Sequence, residues 1–244
     1  VRALIISDVH ANLAALDAVL ADAGAFDAVW CLGDTVGYGP QPAECIDRLR
    51  GLGALWVAGN HERAATGAIS TGDFNPAAAA AAEWTKRVLT DEEKAALDAL
   101  PEVAEQGDFT YVHGTLRWPI WEYLWSEEEA LAHLDLQRTP FGLVGHTHVP
   151  AVAWLDLEGP RSAPLYRAQA DAAVTLTDRR RWVLNPGSVG QPRDGDPRAA
   201  YAVYDSELAS VVWRRVEYDI KRTQSLMEAA NLPEWLIKRL AVGL

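Results

Sequence analysis

The 244-residue chain predicts an α/β fold: a four-layer α-β-β-α sandwich of two packed mixed sheets flanked by helices. Three observations lead there. The first third alternates strand-like and helix-like segments. The last third strings together short β-rich runs with no helix between them. Five of the six histidines sit in short motifs at the ends of strand-like runs.

Taken in order, Ala3–Ser7 is a β-rich apolar run, and Asn12–Ala23 sets Leu13, Leu16, Val19 and Leu20 at helical spacing. Ala28–Leu32 reads as a second strand, Pro42–Leu52 as a helix and Ala54–Ala58 as a third strand. Strand, helix, strand, helix, strand implies right-handed crossovers and parallel pairing. Residues 75–100 read as helical. Asn75-Pro76 supplies a cap and a first-turn proline, Ala77–Ala82 a close-packing face, and Thr90-Asp91-Glu92-Glu93 a restart. Phe109–Val112 is a strand, Ser126-Glu127-Glu128-Glu129 caps a helix ending near Leu136, and Phe141–Val144 is a strand again.

Beyond residue 150, Val152–Leu155, Ala173–Thr177, Trp182–Leu184, Tyr201–Tyr204 and Val211–Val216 read as strands linked by turns such as Asp156-Leu157-Glu158-Gly159. Strands joined without crossover helices favour a mostly antiparallel second sheet. Helices at Ile220–Ala230 and Pro233–Leu240 follow, and with no linker or internal repeat the expectation is one domain over residues 1–244.

Composition narrows the function classes. With 49% hydrophobic and 23% charged residues, an ordered core is expected. No apolar run reaches the roughly 18–20 residues that span a bilayer. Val1–Asp8 runs straight into a strand ending on a motif residue, so the expectation is a cytoplasmic protein without a signal peptide. Cys31 and Cys45 lack the paired spacing of a zinc site and are expected as free buried thiols. A net charge of −12 argues against long nucleic acid, which demands a basic face, but leaves small phosphorylated substrates open.

The motifs are Asp8-Val9-His10, Gly33-Asp34, Gly59-Asn60-His61-Glu62, His113-Gly114 and Gly145-His146-Thr147-His148. Histidine, aspartate and asparagine together suit Mn, Zn or Fe rather than Ca or a thiolate-bound metal. Their positions, just past the C-terminal ends of strands, are where open α/β sheets bind ligands. Asp-x-His alone is commonly a turn or a helix cap. All five motifs in this order are far more specific. His133, on a Glu-rich helix, reads as a solvated residue.

In order and content these motifs resemble the calcineurin-like metallophosphoesterase superfamily over nearly the whole chain. The resemblance implies two divalent metal ions, Mn first, with Fe, Zn, Ni or Co as alternatives. It implies Asp8, His10 and His148 at one ion, Asn60, His113 and His146 at the other, and Asp34 bridging both. A carboxylate can bridge because its two oxygens offer about four lone-pair sites. With only two carboxylates in the set, two dications leave a net positive centre inside an acidic protein. The implied reaction is in-line attack on phosphorus by a metal-bridging hydroxide, with His61 as general acid for the leaving group.

Two stretches bear on the substrate. His113–Leu124 resembles a segment of small bacterial members grouped as phosphodiesterases or diadenosine tetraphosphatase-like enzymes, although Leu116 and Trp118 depart from it. Asn185–Arg193 resembles a second hallmark of that group, and it reads as a turn near the metals that supports the His146 loop. Arg117 and Arg193 are candidates to grip a non-reacting phosphate through bidentate bonds, with a structural salt bridge the equal alternative. Trp118, Trp121, Tyr123 and Trp125 can form a base-stacking wall, lid packing or a homo-oligomer contact. Tyr38 either rims the cleft or marks a turn. The expected partner is a small phosphorylated, nucleotide-like substrate, with no long nucleic acid and no membrane. The alternatives are a protein Ser/Thr phosphatase of the same fold and a non-catalytic interaction scaffold. The scaffold reading predicts missing ligands or a replaced His61, and neither is seen.

Overall fold

The computed structural model describes residues 1–244. Strands β1 (Arg2–Ile6), β2 (Ala28–Cys31) and β3 (Leu55–Trp56) pair in parallel, linked by α1 (Leu13–Asp22) and α2 (Pro42–Gly51). Helices α3 (Asn60–Thr66), α4 (Pro76–Val88) and α5 (Asp91–Asp98) follow, then β4 (Val103–Gln106), β5 (Phe109–Val112), α6 (Glu127–Leu136) and β6 (Phe141–Leu143). The chain continues through β7 (Ala151–Asp156), β8 (Leu165–Arg167), β9 (Ala173–Thr175), β10 (Arg180–Asn185), β11 (Ala199–Asp205) and β12 (Ser210–Val216), and ends in α7 (Ile220–Ala229) and α8 (Glu234–Arg239).

Two six-stranded sheets result, ordered β3-β2-β1-β11-β12-β9 and β4-β5-β6-β10-β7-β8. The late strands do pair largely antiparallel, but they do not make a sheet of their own. β11 joins β1 antiparallel, opposing Leu4 to Val203 and Ile5 to Ala202, while β10 joins β6 in parallel. The reason is edge burial: without these partners β1 and β6 would each present an unpaired row of backbone groups beside the core. The short edge strands β4 and β8, largely exposed, lack the apolar alternation that would have marked them.

Alternation along β1 creates the layers. Ala3 and Ile5 face the second sheet with Trp30, Tyr111, Leu143, Trp182 and Trp213. Leu4 and Ile6 face Leu16 and Val19 of α1 and Ile46 and Leu49 of α2. Burial of both faces explains why β1 is apolar from Ala3 to Ile6. On the far side, α6 packs Ala130 and Leu134 against Val112, Val144 and Val183 of the second sheet. The alanine run is a packing face: Ala78, Ala81 and Ala82 of α4 are buried, and α4, α7 and α8 converge on Tyr38. Asn75 caps α4 through a 3.0 Å bond from the Ala78 amide, and the expected restart at Thr90 is a capping box between Thr90 and Glu93 on α5.

His133 is not solvated. It is fully buried; Nδ1 accepts from the Leu116 amide at 3.1 Å and Nε2 faces Gln137 Oε1 at 3.1 Å. Gln137 in turn donates to the carbonyls of Thr139 and Trp182. The acidic residues around it in sequence occupy the exposed side of α6, while His133 falls on the same inward face as Ala130 and Leu134. This relay ties the loop after His113 to β10.

Burial pushes His133 down to about 4 from an ordinary value of 6.5. The unfolded chain therefore binds the proton first, so this group's contribution is complete above about pH 6.5 and is lost as pH falls through about 4. A displacement of that size corresponds to roughly 3 kcal/mol. Urea unfolding at pH 7 and pH 4.5 should show a smaller acid-induced loss in His133→Gln than in the wild type. Identical losses would refute the assignment.

Candidate metal centre

Both sheets deliver donors to one crevice. Asp8 and His10 lie just beyond β1, Asp34 beyond β2, and Asn60 opens α3. His113 follows β5, and His146 and His148 follow β6. The crevice is built under backbone strain. Asp8, His10, Asp34, His146 and His148 all take left-handed φ, between 48° and 65°, as do Ala11 and Tyr38 nearby. Side chains other than glycine enter this region at a cost of order 1–3 kcal/mol each, and such residues cluster at functional sites. Two motif glycines are required by contact: a Cβ at Gly59 would overlap the Asp34 carboxylate, and one at Gly145 the Ser7 side chain.

The donors form two groups sharing one carboxylate. Asp8, His10, Asp34 and His148 converge, and so do Asp34, His113 and His146. Asp34 Oδ2 lies 3.8 Å from His10 Nε2 and 3.2 Å from His113 Nε2. Backbone carbonyls fix the imidazole tautomers. Nδ1 of His10 faces Val36 O at 3.1 Å, Nδ1 of His113 faces Leu32 O at 2.8 Å, and Nδ1 of His148 faces Gln191 O at 2.5 Å. A carbonyl only accepts, so each Nδ1 carries the proton and, in the neutral ring, Nε2 is a bare lone pair. His146 is reversed, with Nε2 facing Trp121 O at 3.2 Å and Nδ1 left bare. The bare nitrogens then meet: His10 and His148 at 3.2 Å, His113 and His146 at 3.0 Å. Neutral lone pairs at that distance repel. A proton or a metal cation between them removes the conflict.

Orphaned atoms favour the cation, and at the His10–His148 pair burial also disfavours the proton. Burial pushes His10, His146 and His148 well below the usual imidazole range. Burial also opposes charge on His113, but the Asp34 carboxylate overrides it and raises His113 to about 9. Burial pushes Asp8 up to about 7. Asp8 Oδ1 and Asn60 Oδ1 are buried with no hydrogen-bond partner, and these are oxygens that a divalent ion would satisfy. The mixed N/O donor set fits first-row divalent metals. Each of these four imidazoles already has a carbonyl partner of the kind that orients metal-binding histidines.

His61 is buried, its ring 4.4 Å from Tyr38 and 4.8 Å from His10. Burial pushes it down to about 4; an anionic phosphate alongside would favour its protonated form. It borders a cavity of about 240 Å³ shared with Asn60, Phe74, Trp121, Tyr123 and His146. Tyr38 thus rims the cleft, and Arg193 lies over its ring at 5.9 Å while donating to Gln191 Oε1 at 3.1 Å. Arg117 is placed differently: its fork is committed to Glu122, with Nε 2.8 Å from Oε1, and it does not border the cavity. Of the aromatic stretch, Trp121 and Tyr123 reach the cavity while Trp118 and Trp125 do not. The Asn185–Arg193 loop buttresses the site. Asn185 Nδ2 donates to Gly145 O at 2.7 Å, and Ser188 Oγ to Asp8 O at 2.8 Å.

Glu62 was missed in the sequence as a functional residue. Fully buried, its carboxylate accepts from the amides of Asp34 and Gly59 at 2.8 Å and Thr35 at 2.6 Å. It thereby clamps the Asp34 turn onto the start of α3, where Asn60 projects. The only hint was an acidic side chain three residues after Gly59, the spacing of a capping box. In Glu62→Gln one side-chain oxygen becomes an NH₂ that confronts these N–H donors. Metal affinity should fall about 10–100-fold, as expected for a residue that orients ligands. Competition with a chromogenic chelator measures it, and unchanged affinity would rule the clamp out.

Known proteins bear on this arrangement. The sequence profile of the calcineurin-like phosphoesterase superfamily domain matches residues 1–208. Protein MJ0912 of Methanocaldococcus jannaschii is 37% identical over 248 residues, covering 98% of this chain and 97% of that protein. Serine/threonine-protein phosphatase 2 of Escherichia coli strain K12 is 30% identical over 144 residues, 53% of this chain and 65% of its own. A metallophosphoesterase crystal structure from Sphaerobacter thermophilus matches with a TM-score of 0.89 at 45% identity, covering 100% of this chain and 99% of the other. With the fold and the donor clusters in agreement, the chain belongs to the calcineurin-like phosphoesterase superfamily and is a metal-dependent phosphoester hydrolase.

Proposed function

We propose that the protein is a cytoplasmic, dinuclear phosphodiesterase acting on phosphodiesters or small nucleotides. The observation that carries this reading is Asp34, whose Oδ2 approaches a histidine of each donor group. Asp8, His10, Asp34 and His148 would hold one ion; Asp34, Asn60, His113 and His146 would hold the other, with Mn the first choice. When bound, such ions supply an activated water and neutralise charge on the phosphoryl oxygens. The chain's own residues do the rest. His61, on the cavity wall, holds the proton that the departing oxygen needs. Arg193, beside Tyr38, would meet a non-reacting phosphate oxygen. Retention of all seven ligand types and His61 weighs against a scaffold.

A protein Ser/Thr phosphatase is the second reading, favoured by the partial similarity to the Escherichia coli phosphatase. The aromatic wall of the cavity suits a ring better than a peptide chain.

Purified protein should contain close to two divalent metal ions per chain and hydrolyse bis(4-nitrophenyl) phosphate. Metal-free, inert protein that no metal restores would sink the proposal. Efficient turnover of a phosphopeptide alone would reverse the ranking of the two readings. His61→Ala should keep both ions yet lose about 10²–10⁴-fold in turnover of an alkyl diester. An equal loss on a 4-nitrophenyl ester, whose leaving group scarcely needs a proton, would count against the acid role.

A further inference from the structure

The cavity beside His61 carries information about the substrate that the donor atoms do not. Phe74 stands 5.1 Å from the His61 ring and edge-on to Trp121 at 5.9 Å. Tyr123 lies flat on His146, with centroids 4.0 Å apart and planes 9° from parallel. Trp121 remains 39% exposed, so its face is only partly used by the protein, whereas Tyr123 also has Trp125 stacked 5.8 Å from it. No lysine or arginine lines this space, and its one carboxylate is Asp73, on the exposed turn before Phe74. Arg193 lies over Tyr38 and is not part of the wall, and Arg117 is held by Glu122.

Resting on the phosphodiesterase reading, the geometry points to this cavity as the seat of an uncharged aromatic leaving group: a nucleoside or aryl alcohol. A leaving group that carries further phosphates is excluded. Three physical arguments converge. A proton donor serves the departing oxygen only from beside it, so the group attached to that oxygen lies on the His61 side of the centre. Aromatic faces there reward a planar ring and are indifferent to which ring it is. The Asp73 carboxylate repels an additional phosphate and accepts a hydrogen bond from an amino or hydroxyl group instead. Dinucleoside polyphosphates, whose leaving group is itself a polyanion, are therefore poor substrates. Diesters that release a nucleoside are good ones.

The test combines binding with turnover on Mn-loaded protein. By calorimetry, phenylphosphonate should bind about tenfold more tightly than methylphosphonate, and Phe74→Ala should close most of that gap, as should Trp121→Ala. Asp73→Lys should raise the ratio of kcat/KM for diadenosine tetraphosphate over bis(4-nitrophenyl) phosphate about tenfold. Equal affinity of the two phosphonates in the wild type overturns the proposal, as does an unmoved ratio in Asp73→Lys. Absence of turnover with the affinity gap intact would overturn the phosphodiesterase reading and leave the aromatic pocket standing.

Discussion

Two pairs of imidazole nitrogens, His10 with His148 and His113 with His146, are held 3.2 and 3.0 Å apart around the Asp34 carboxylate. The surrounding loops hold them there, against lone-pair repulsion at the His10–His148 pair, which burial keeps neutral. Carbonyls of Val36, Gln191, Leu32 and Trp121 anchor the far nitrogens and so decide which nitrogen faces inward. The same loops accept left-handed backbone at five candidate ligands. A core between two six-stranded sheets can bear strain of a few kcal/mol at its rim, provided neighbouring contacts over-determine each strained residue. Glu62, Asn185 and Ser188 supply those contacts through bonds to the turns carrying Asp34, His146 and Asp8.

The arrangement of the late strands follows from the same demand. His113, His146 and His148 come from the second sheet, the other donors from the first, and their meeting requires that the two sheets pack in one fixed alignment. Pairing β11 with β1 and β10 with β6 sends the C-terminal third of the chain into both sheets. Trp213 of β12 adds a bond across the sandwich, donating Nε1 to Asn185 O of β10 at 2.8 Å. The loop after β10 then reaches under both halves of the crevice, because it starts in one sheet and leads into the other.

Around this rigid centre the aromatic stretch divides its work. Tyr123 and Trp121 face the cavity, while Arg117, Thr115 and Glu122 tie the loop together behind them, and His133 fixes it to α6. A cation that the sequence offered for substrate binding is thus used to hold the loop that shapes the substrate cavity. This follows from Glu122, which is 8% exposed: a carboxylate so placed is costly to bury without a partner, and Arg117 is within reach.

Much of this was legible in the residues. Apolar runs ending in Asp8, His113 and His146 located strands and donors together, since alternation and burial act locally. The cap at Asn75-Pro76 and the helix restart at Thr90 were readable for the same reason, being set by contacts within four residues. The burial of His133, the choice between the two readings of Arg117 and the clamp by Glu62 were not readable. Each depends on which side of a helix or loop meets a partner distant in sequence, and that orientation is set only when the layers pack. Chain chemistry determined the donor types and the order in which they arrive. Tertiary structure decided that Asp34 stands between two groups rather than in one, because only the packing of two sheets brings residues 8 and 148 together on one side of it and residues 113 and 146 on the other.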